Sequence, residues 1–447
     1  MNLVRGGTSA SPASLFAGGE QGVWYDPSDL STLFQDNLGA TPVTAPAQTV
    51  GLILDKSGRG NHATQATSTQ RPTYGINPIV GTRNLLTYTE QFDNAAWSKG
   101  TFATVTANTG ISPNGDTTAD TLAANAATTA IPAEITQATS QSASTQYSYS
   151  MFAKKNTSNF LALRHTGVSG NPYAWFNLNT GTVGTVQSGI TATITSFGNG
   201  WYRCAVVGTT AAVVSVNRVE AIVSDKDANY VCASGGSIYI WGAQLELGST
   251  ATAYQKVVSQ YEVTQAGVQS VSYLAFDGVD DGMVTGTITP NTNKVQVFAG
   301  VRKLSDAAKG MLVELSATTS SNAGSFNIQA SSGAVANYRF LGGGTTSVTL
   351  DTPNSYAAPI TNVVVVVSDI SAPSGTIRIN GSQLATSASS QGTGDFLAYP
   401  LYIGRRGGTT APYNGRLYSL IVRFGANLTT GQITSTESWV NGETGAY

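Results

Sequence analysis

Short segments that alternate apolar and polar residues, each closed by Gly, Asn or Asp, recur along most of this chain, and they constrain its fold more than any other feature. QYSYSMFAKK (146–155), NFLALRH (159–165), PYAWFNLN (172–179), GWYRCAVVG (200–208), RVEAIVS (218–224) and GSIYIWGAQLELG (236–248) all read as strands with one face inward. KVQVFAGVRK (294–303), GTIRING (375–381), PLYIGRRGG (400–408) and GRLYSLIVRFG (415–425) continue the style. The Asn-Gly that ends GTIRING is a strong hairpin signal. NVVVVVSDI (362–370) is a continuous apolar run, as expected of a strand covered on both faces. Only TTGQITSTESWVNGETG (429–445) has helical start and stop signals, Thr before it and Gly at its end. Strands at such spacing imply antiparallel β-sandwiches or jelly rolls, and no period of solenoid or propeller length recurs. The expected fold class is all-β: two antiparallel sandwich domains with one short C-terminal helix.

Composition narrows the function. Only 11% of the 447 residues are charged, 23 basic against 25 acidic. With no basic block, nothing predicts a surface that tracks nucleic-acid phosphates. No run of 18 apolar residues predicts a membrane span, and MNLVRGGTSASPASLF does not read as a leader peptide. Cys204 and Cys232 are too few for a disulfide scaffold or zinc site and are expected as free buried thiols.

Two phrases that belong together stand far apart. GVWYDPSDLSTLFQD, VGLILDKSGRGNHATQAT and RPTY, within 22–74, resemble the opening of concanavalin A-like, laminin-G-like domains of tailed-phage virion proteins. In that family the DKSGRGNHA loop is followed directly by a segment like YLAFDGVDD, which here waits until residue 273. Between them NLLTYTEQFDNAAWSKG (84–100), FNLNTGTVGTV (176–186), FGNGWYRC (197–204) and YIWGAQLELGSTATAY (239–254) resemble the carbohydrate-binding-like jelly roll of phage fibre and head-spike proteins. The resemblance implies a split outer sandwich, 22–83 plus 258–447, with a jelly roll inserted over 84–257. Insertion is cheap when the host loop is exposed and the guest's ends lie close. Residues 1–21, rich in small side chains, are expected to form an extended arm that contacts other virion proteins.

Catalytic signatures are missing. There is no G-x-S-x-G, H-E-x-x-H or P-loop, and His62 and His165 read as structural. Glu246 and Asp277 could in principle act as a glycosidase pair, but each sits in a phrase that reads as scaffold, so the chain is expected not to be an enzyme. No cofactor is expected apart from a structural calcium ion as an open alternative. Asp277, Asp280 and Asp281 offer carboxylates to calcium, or else cap their own turns. Glycan binding is the stronger lead. In PYAWFNLN, alternation sends Ala174, Phe176 and Leu178 to one face and Tyr173, Trp175 and Asn177 to the other. Such a row could stack on pyranose rings, unless that face too is covered. Trp201 and Arg203 form a similar outward set, although Trp201 and Trp241 also suit packing. Arg405, Arg406, Tyr413 and Asn414 lie at or beside a loop between two strands, where sandwich domains often bind ligands.

Taken with the resemblance, these residues predict a virion-surface protein made in the host cytoplasm, associated with the tail and binding host surface glycan. The alternative is a head fibre or capsid decoration protein with weak glycan binding or none. Virion appendages are commonly cyclic, so a homotrimer is expected.

Overall fold

The computed structural model describes residues 11–80, 83–128, 131–213, 217–318, 322–372, 374–407 and 409–447. Strands dominate it, and the chain divides into two compact units, Met1–Val80 with Gln269–Tyr447, and Gly81–Val268.

The first unit is a sandwich of two antiparallel sheets. One runs Thr73–Pro78, Ser270–Asp277, Asn414–Phe424, Lys294–Lys303, Ile360–Asp369, Ser374–Ile379, Ser382–Ser387, and Gln21–Tyr25 also pairs with Asn414–Phe424. The other runs Leu33–Phe34, Leu52–Ile53, Ala63–Thr64, Met283–Ile288, Tyr399–Ile403, Gly310–Leu315, Ser325–Ser331, Arg339–Gly343, Ser347–Asp351. Segments far apart in sequence are therefore neighbours: Tyr74 pairs with Leu274, and Thr64 with Val284. The valine run is buried on both sides for a visible reason. Val364 and Val366 enter the core between the sheets, while Val363 and Val365 pack with Val440 of the helix Thr430–Thr444. That helix begins in a capping box between Thr429 and Gln432 and ends at Gly445 in the left-handed conformation. Asn380 and Gly381, with φ of 49° and 78°, make the expected hairpin turn.

The expected arm is corrected over residues 11–21; residues 1–10 lie outside the described residues. Pro12–Phe16 form a 3₁₀ turn capped by Ser11, and Gln21 begins a strand. Leu15 and Phe16 are buried against Trp24, Phe298 and Val440. Their carbonyls accept hydrogen bonds from Arg423 at 2.7 Å and Arg59 at 2.6 Å. Two large apolar side chains outweigh the small residues around them.

The second unit has two six-stranded sheets. One runs Ile190–Gly198, Trp201–Thr209, Gln146–Lys155, Ser237–Leu247, Ala119–Ala124, Ala103–Gly110. The other runs Thr182–Val186, Tyr173–Asn177, Phe160–His165, Arg218–Ser224, Ala133–Ala138, Ser98–Lys99. Ala174, Phe176, Leu178, Cys204 and Val206 fill the core between them, as alternation predicts. The unit, Gly81–Val268, includes the hairpin Gln255–Ser259 and Glu262–Gln265. The Gln255 amide N–H bonds Gln244 Oε1 at 2.8 Å, and Val257 N–H bonds Thr89 Oγ1 at 3.0 Å. At the crossing between units, Ile79 N–H donates to the Gln269 carbonyl at 2.9 Å, so the two ends of the host loop are in contact.

Candidate functional site

The DKSGRGNHA loop is a clip. Asp55 is buried, and its two oxygens accept from Trp24 N–H (2.9 Å), Ser57 N–H (2.9 Å), Ser57 hydroxyl (2.7 Å) and Asn61 N–H (3.0 Å). His62 Nδ1 accepts from Asp55 N–H at 2.9 Å, which is the structural role expected of it. Asp55, Ser57, Asn61 and His62 thus face the motif's own backbone or the strand Gln21–Tyr25, while Lys56 pairs with Asp26 and Asp29 and Arg59 donates to the Phe16 carbonyl.

The row Tyr173, Trp175, Asn177 lies on the face opposite the core, but it is not open. Trp175 is 1% exposed. Its indole N–H donates to the Asn229 carbonyl at 2.9 Å, and Tyr230 lies 5.9 Å from its ring. Tyr173 sits beneath the Arg164 guanidinium at 4.6 Å, and that arginine is held by buried Glu220 at 3.0 Å. Asn177 Oδ1 accepts from Asn179 and Thr180 and caps the following turn. A stacking platform at Trp175 is therefore corrected to an aromatic cluster sealed by the loop that carries Asn229 and Tyr230.

Trp201 and Arg203 are also committed. Trp201 is 2% exposed and donates to the Ile111 carbonyl. Arg203 bonds Ser150 Oγ and, at 2.6 Å, the Thr252 carbonyl, because the chain after Ser237–Leu247 turns back over this face. Glu246 holds the same return segment through Thr252 N–H (2.8 Å) and the Thr252 hydroxyl (2.6 Å). Cys204 and Cys232 are free and buried, and burial raises both thiol pKa values.

In the first unit, Arg405 donates to the Asp280 carbonyl at 2.7 Å, and Arg406 pairs with buried Glu314 at 3.1 Å. Tyr413 is buried, with its hydroxyl on the Arg302 carbonyl at 2.9 Å; Asn414 is half-buried beside it, in the wall of a cavity of about 150 Å³. Asp277, Asp280 and Asp281 bring carboxylate oxygens within 4.8 Å of one another. Asp277 Oδ1, however, already accepts three backbone N–H groups, from Val279, Asp280 and Asp281. Burial and the neighbouring Asp277 raise the pKa of Asp281 to about 7, while Arg405 supplies positive charge nearby. Asp277 thus caps its own turn, one of the two roles expected of this cluster.

One cavity brings rings and polar groups together. It holds about 270 Å³ within the second unit, and Trp241, Tyr254, Glu90, Lys256, Asn114 and Gln265 line it. Trp241 projects from the outer face of Ser237–Leu247, with Phe152 opposite it on the next strand. The Trp241 and Tyr254 rings lie 4.8 Å apart, and Phe152 lies 5.3 Å from Trp241. Tyr254 arrives on the return segment that Glu246 and Arg203 pin down. Its hydroxyl lies 2.7 Å from Thr89 Oγ1 and donates to Glu90 Oε1 at 3.2 Å; burial raises its pKa well above the ordinary value, so it stays a donor. Glu90 Oε2 pairs with Lys256 Nζ at 2.9 Å, and that lysine remains nearly half exposed. Trp241 is 5% exposed, with its indole N–H on Thr118 Oγ1 at 3.1 Å, so it backs the cavity while the half-buried Tyr254, the carboxylate, the ammonium and the amides offer the contacts a polyhydroxylated ring would use. Trp241 was legible only as a packing residue; Glu90 and Tyr254 lie within the phrases that carry the jelly-roll resemblance but were not singled out, and Lys256 lies just outside them. A larger cavity of about 460 Å³ is lined by Leu85, Thr87, Ala96 and Gln137 to Ser140, and brings neither ring nor charge.

No protein-family profile matches the chain, and no curated protein matches it. Several solved structures are similar to part of the chain. A carbohydrate-binding module, CBM40, of a Ruminococcus gnavus IT-sialidase is 17% identical over 33% of this chain and 84% of its own, with a TM-score of 0.28. Trypanosoma rangeli sialidase is 16% identical over 37% and 27%, with a TM-score of 0.29. The receptor-binding domain of botulinum neurotoxin type G is 8% identical over 38% and 42%, also at 0.29. At these scores the likeness carries no argument about function.

Proposed function

We propose that this chain is a virion-surface adhesin of a tailed bacteriophage, tail-associated and non-catalytic, that holds host surface glycan in the Trp241–Tyr254 cavity. The resemblance of residues 22–74, 84–100 and 273–281 to phage virion domains supports the setting. The observation that carries the binding reading is the cavity itself: paired rings beside the Glu90–Lys256 ion pair. Rings stack on the apolar face of a pyranose, and the ion pair and amides meet its hydroxyls.

A glycan array probed with the full chain, followed by calorimetry on the best ligand, tests this. Lys256→Ala changes a half-exposed side chain and is expected to weaken binding by about tenfold, the worth of one charge-assisted hydrogen bond. Trp241→Ala is expected to abolish binding, with circular dichroism checking its fold. An array without binding, or equal affinity of wild type and both variants, overturns the reading. Immunogold labelling of particles assigns the protein to tail or capsid; label on the capsid favours the decoration reading.

A further inference from the structure

Each six-stranded sheet of the second unit has two edges, and three of these four edges are blunted. Ser98–Lys99 is two residues long and carries a lysine. Ala103–Gly110 loses register between Thr106 and Gly110, and Thr182–Val186 pairs across a bulge between Ala174 and Phe176. Shortness, charge and bulges are the usual devices against edge-to-edge association. Ile190–Gly198 has none of them along most of its length. It pairs with Trp201–Thr209 without a break from Ile190 to Ser196, and among the described residues its other edge pairs with no strand. No charged residue occurs from Thr180 to Gly200.

Two further features concern what would cover this edge. Ile190, Ala192 and Ile194 face the core of the unit yet are only partly buried, so the core is left open here. Thr191, Thr193 and Thr195 alternate with them on the exposed face. The segment Ile190-Thr191-Ala192-Thr193-Ile194 reads the same in both directions. Val183, Val186 and Phe197, all exposed, flank it.

We infer that this edge is the contact for a second copy of the same chain, joined antiparallel across a two-fold axis through Ala192. In that register Ile190 meets the partner's Ile194, Thr191 meets the partner's Thr193, and Ala192 meets itself. The arrangement is isologous, as a two-fold interface must be. Both residue rows match: the inward isoleucines continue one core into the next, and the outward threonines form β-branched cross-strand pairs. The charge pattern agrees, because an uncharged edge sets no like charges against themselves. A strand pair alone buries less than the ~1,000 Å² of a stable interface, so the flanking Val183, Val186 and Phe197 belong to it. A two-fold pair is the outcome, in place of the trimer expected from the sequence.

The test is native mass spectrometry with sedimentation on the full chain at micromolar concentration. Wild type is expected at twice 46.2 kDa. Thr191→Lys with Thr193→Lys places two Lys–Lys pairs in the interface and is expected to weaken association ~100-fold. Thr191→Glu with Thr193→Glu does the same. Mixing the two variants restores a dimer made of one copy of each. These positions are exposed, and an unchanged circular dichroism spectrum shows that folding is intact. A monomeric wild type, a different wild-type stoichiometry, an oligomer that persists in the lysine variant, or no heterodimer on mixing overturns the inference.

Discussion

Replacing Asp55 separates a structural reading of the DKSGRGNHA motif from a ligand-binding one. The carboxylate accepts four hydrogen bonds, three of them from the backbone N–H groups of Trp24, Ser57 and Asn61. In Asp55→Ala the Ser57 hydroxyl can still turn toward the Gly22 carbonyl, 3.5 Å away, but the three N–H groups lose their acceptor. Trp24 and Ser57 are buried, and an unpaired buried donor costs about 1–3 kcal/mol. Allowing for water reaching the half-buried Asn61, the sum is about 3–5 kcal/mol. Asp55→Asn keeps one oxygen but sets an amide NH₂ against a donor pair, so about 1–3 kcal/mol is expected. Because a two-unit chain need not unfold in one step, the assay is amide hydrogen exchange read at Trp24, Ser57 and Asn61, beside urea unfolding. Alanine should speed exchange at all three amides and asparagine mainly at Asn61. Unchanged exchange, with a stability loss below about 1 kcal/mol, would refute the clip.

Two more outcomes follow from burial. His165 is buried, and desolvation lowers its pKa to about 4. The unfolded chain binds that proton more readily, so this contribution is full above pH ~6.5 and is lost as pH falls toward 4, worth about 3 kcal/mol; His165→Gln should flatten urea-unfolding curves over that window. Glu134 has the opposite sign: burial first, then Glu220, raise its pKa to about 7, so the folded state holds the proton and stability falls as pH rises from ~4.5 through 7. Glu134→Gln should remove that fall and leave the variant more stable than wild type above pH 7.

Strand alternation was a reliable guide to which face a side chain takes. It put Phe176 and Leu178 in the core and Tyr173 and Trp175 opposite. Whether the opposite face is open is a different question, decided by segments distant in sequence. The loop carrying Asn229 and Tyr230 seals Trp175, and the turn back through Thr252 and Tyr254 both buries Arg203 and builds the cavity. Neither covering segment announces its destination in the local sequence. The N-terminal misreading had a local remedy: Ser11-Pro12 before Leu15-Phe16 is a cap followed by apolar anchors. The helix at Thr430–Thr444 was legible because its cap and its terminal glycine are both local signals.

The hydrogen bond from the Ile79 N–H to the Gln269 carbonyl has an evolutionary corollary. Where the polypeptide leaves and re-enters the host, only a hairpin's width separates the two ends, with Pro78 directly across from Ser270. A tight turn, or another fold with adjacent termini, could span that gap. The host sandwich is thereby a socket, and lineages could trade whatever module plugs into it while the socket stays the same.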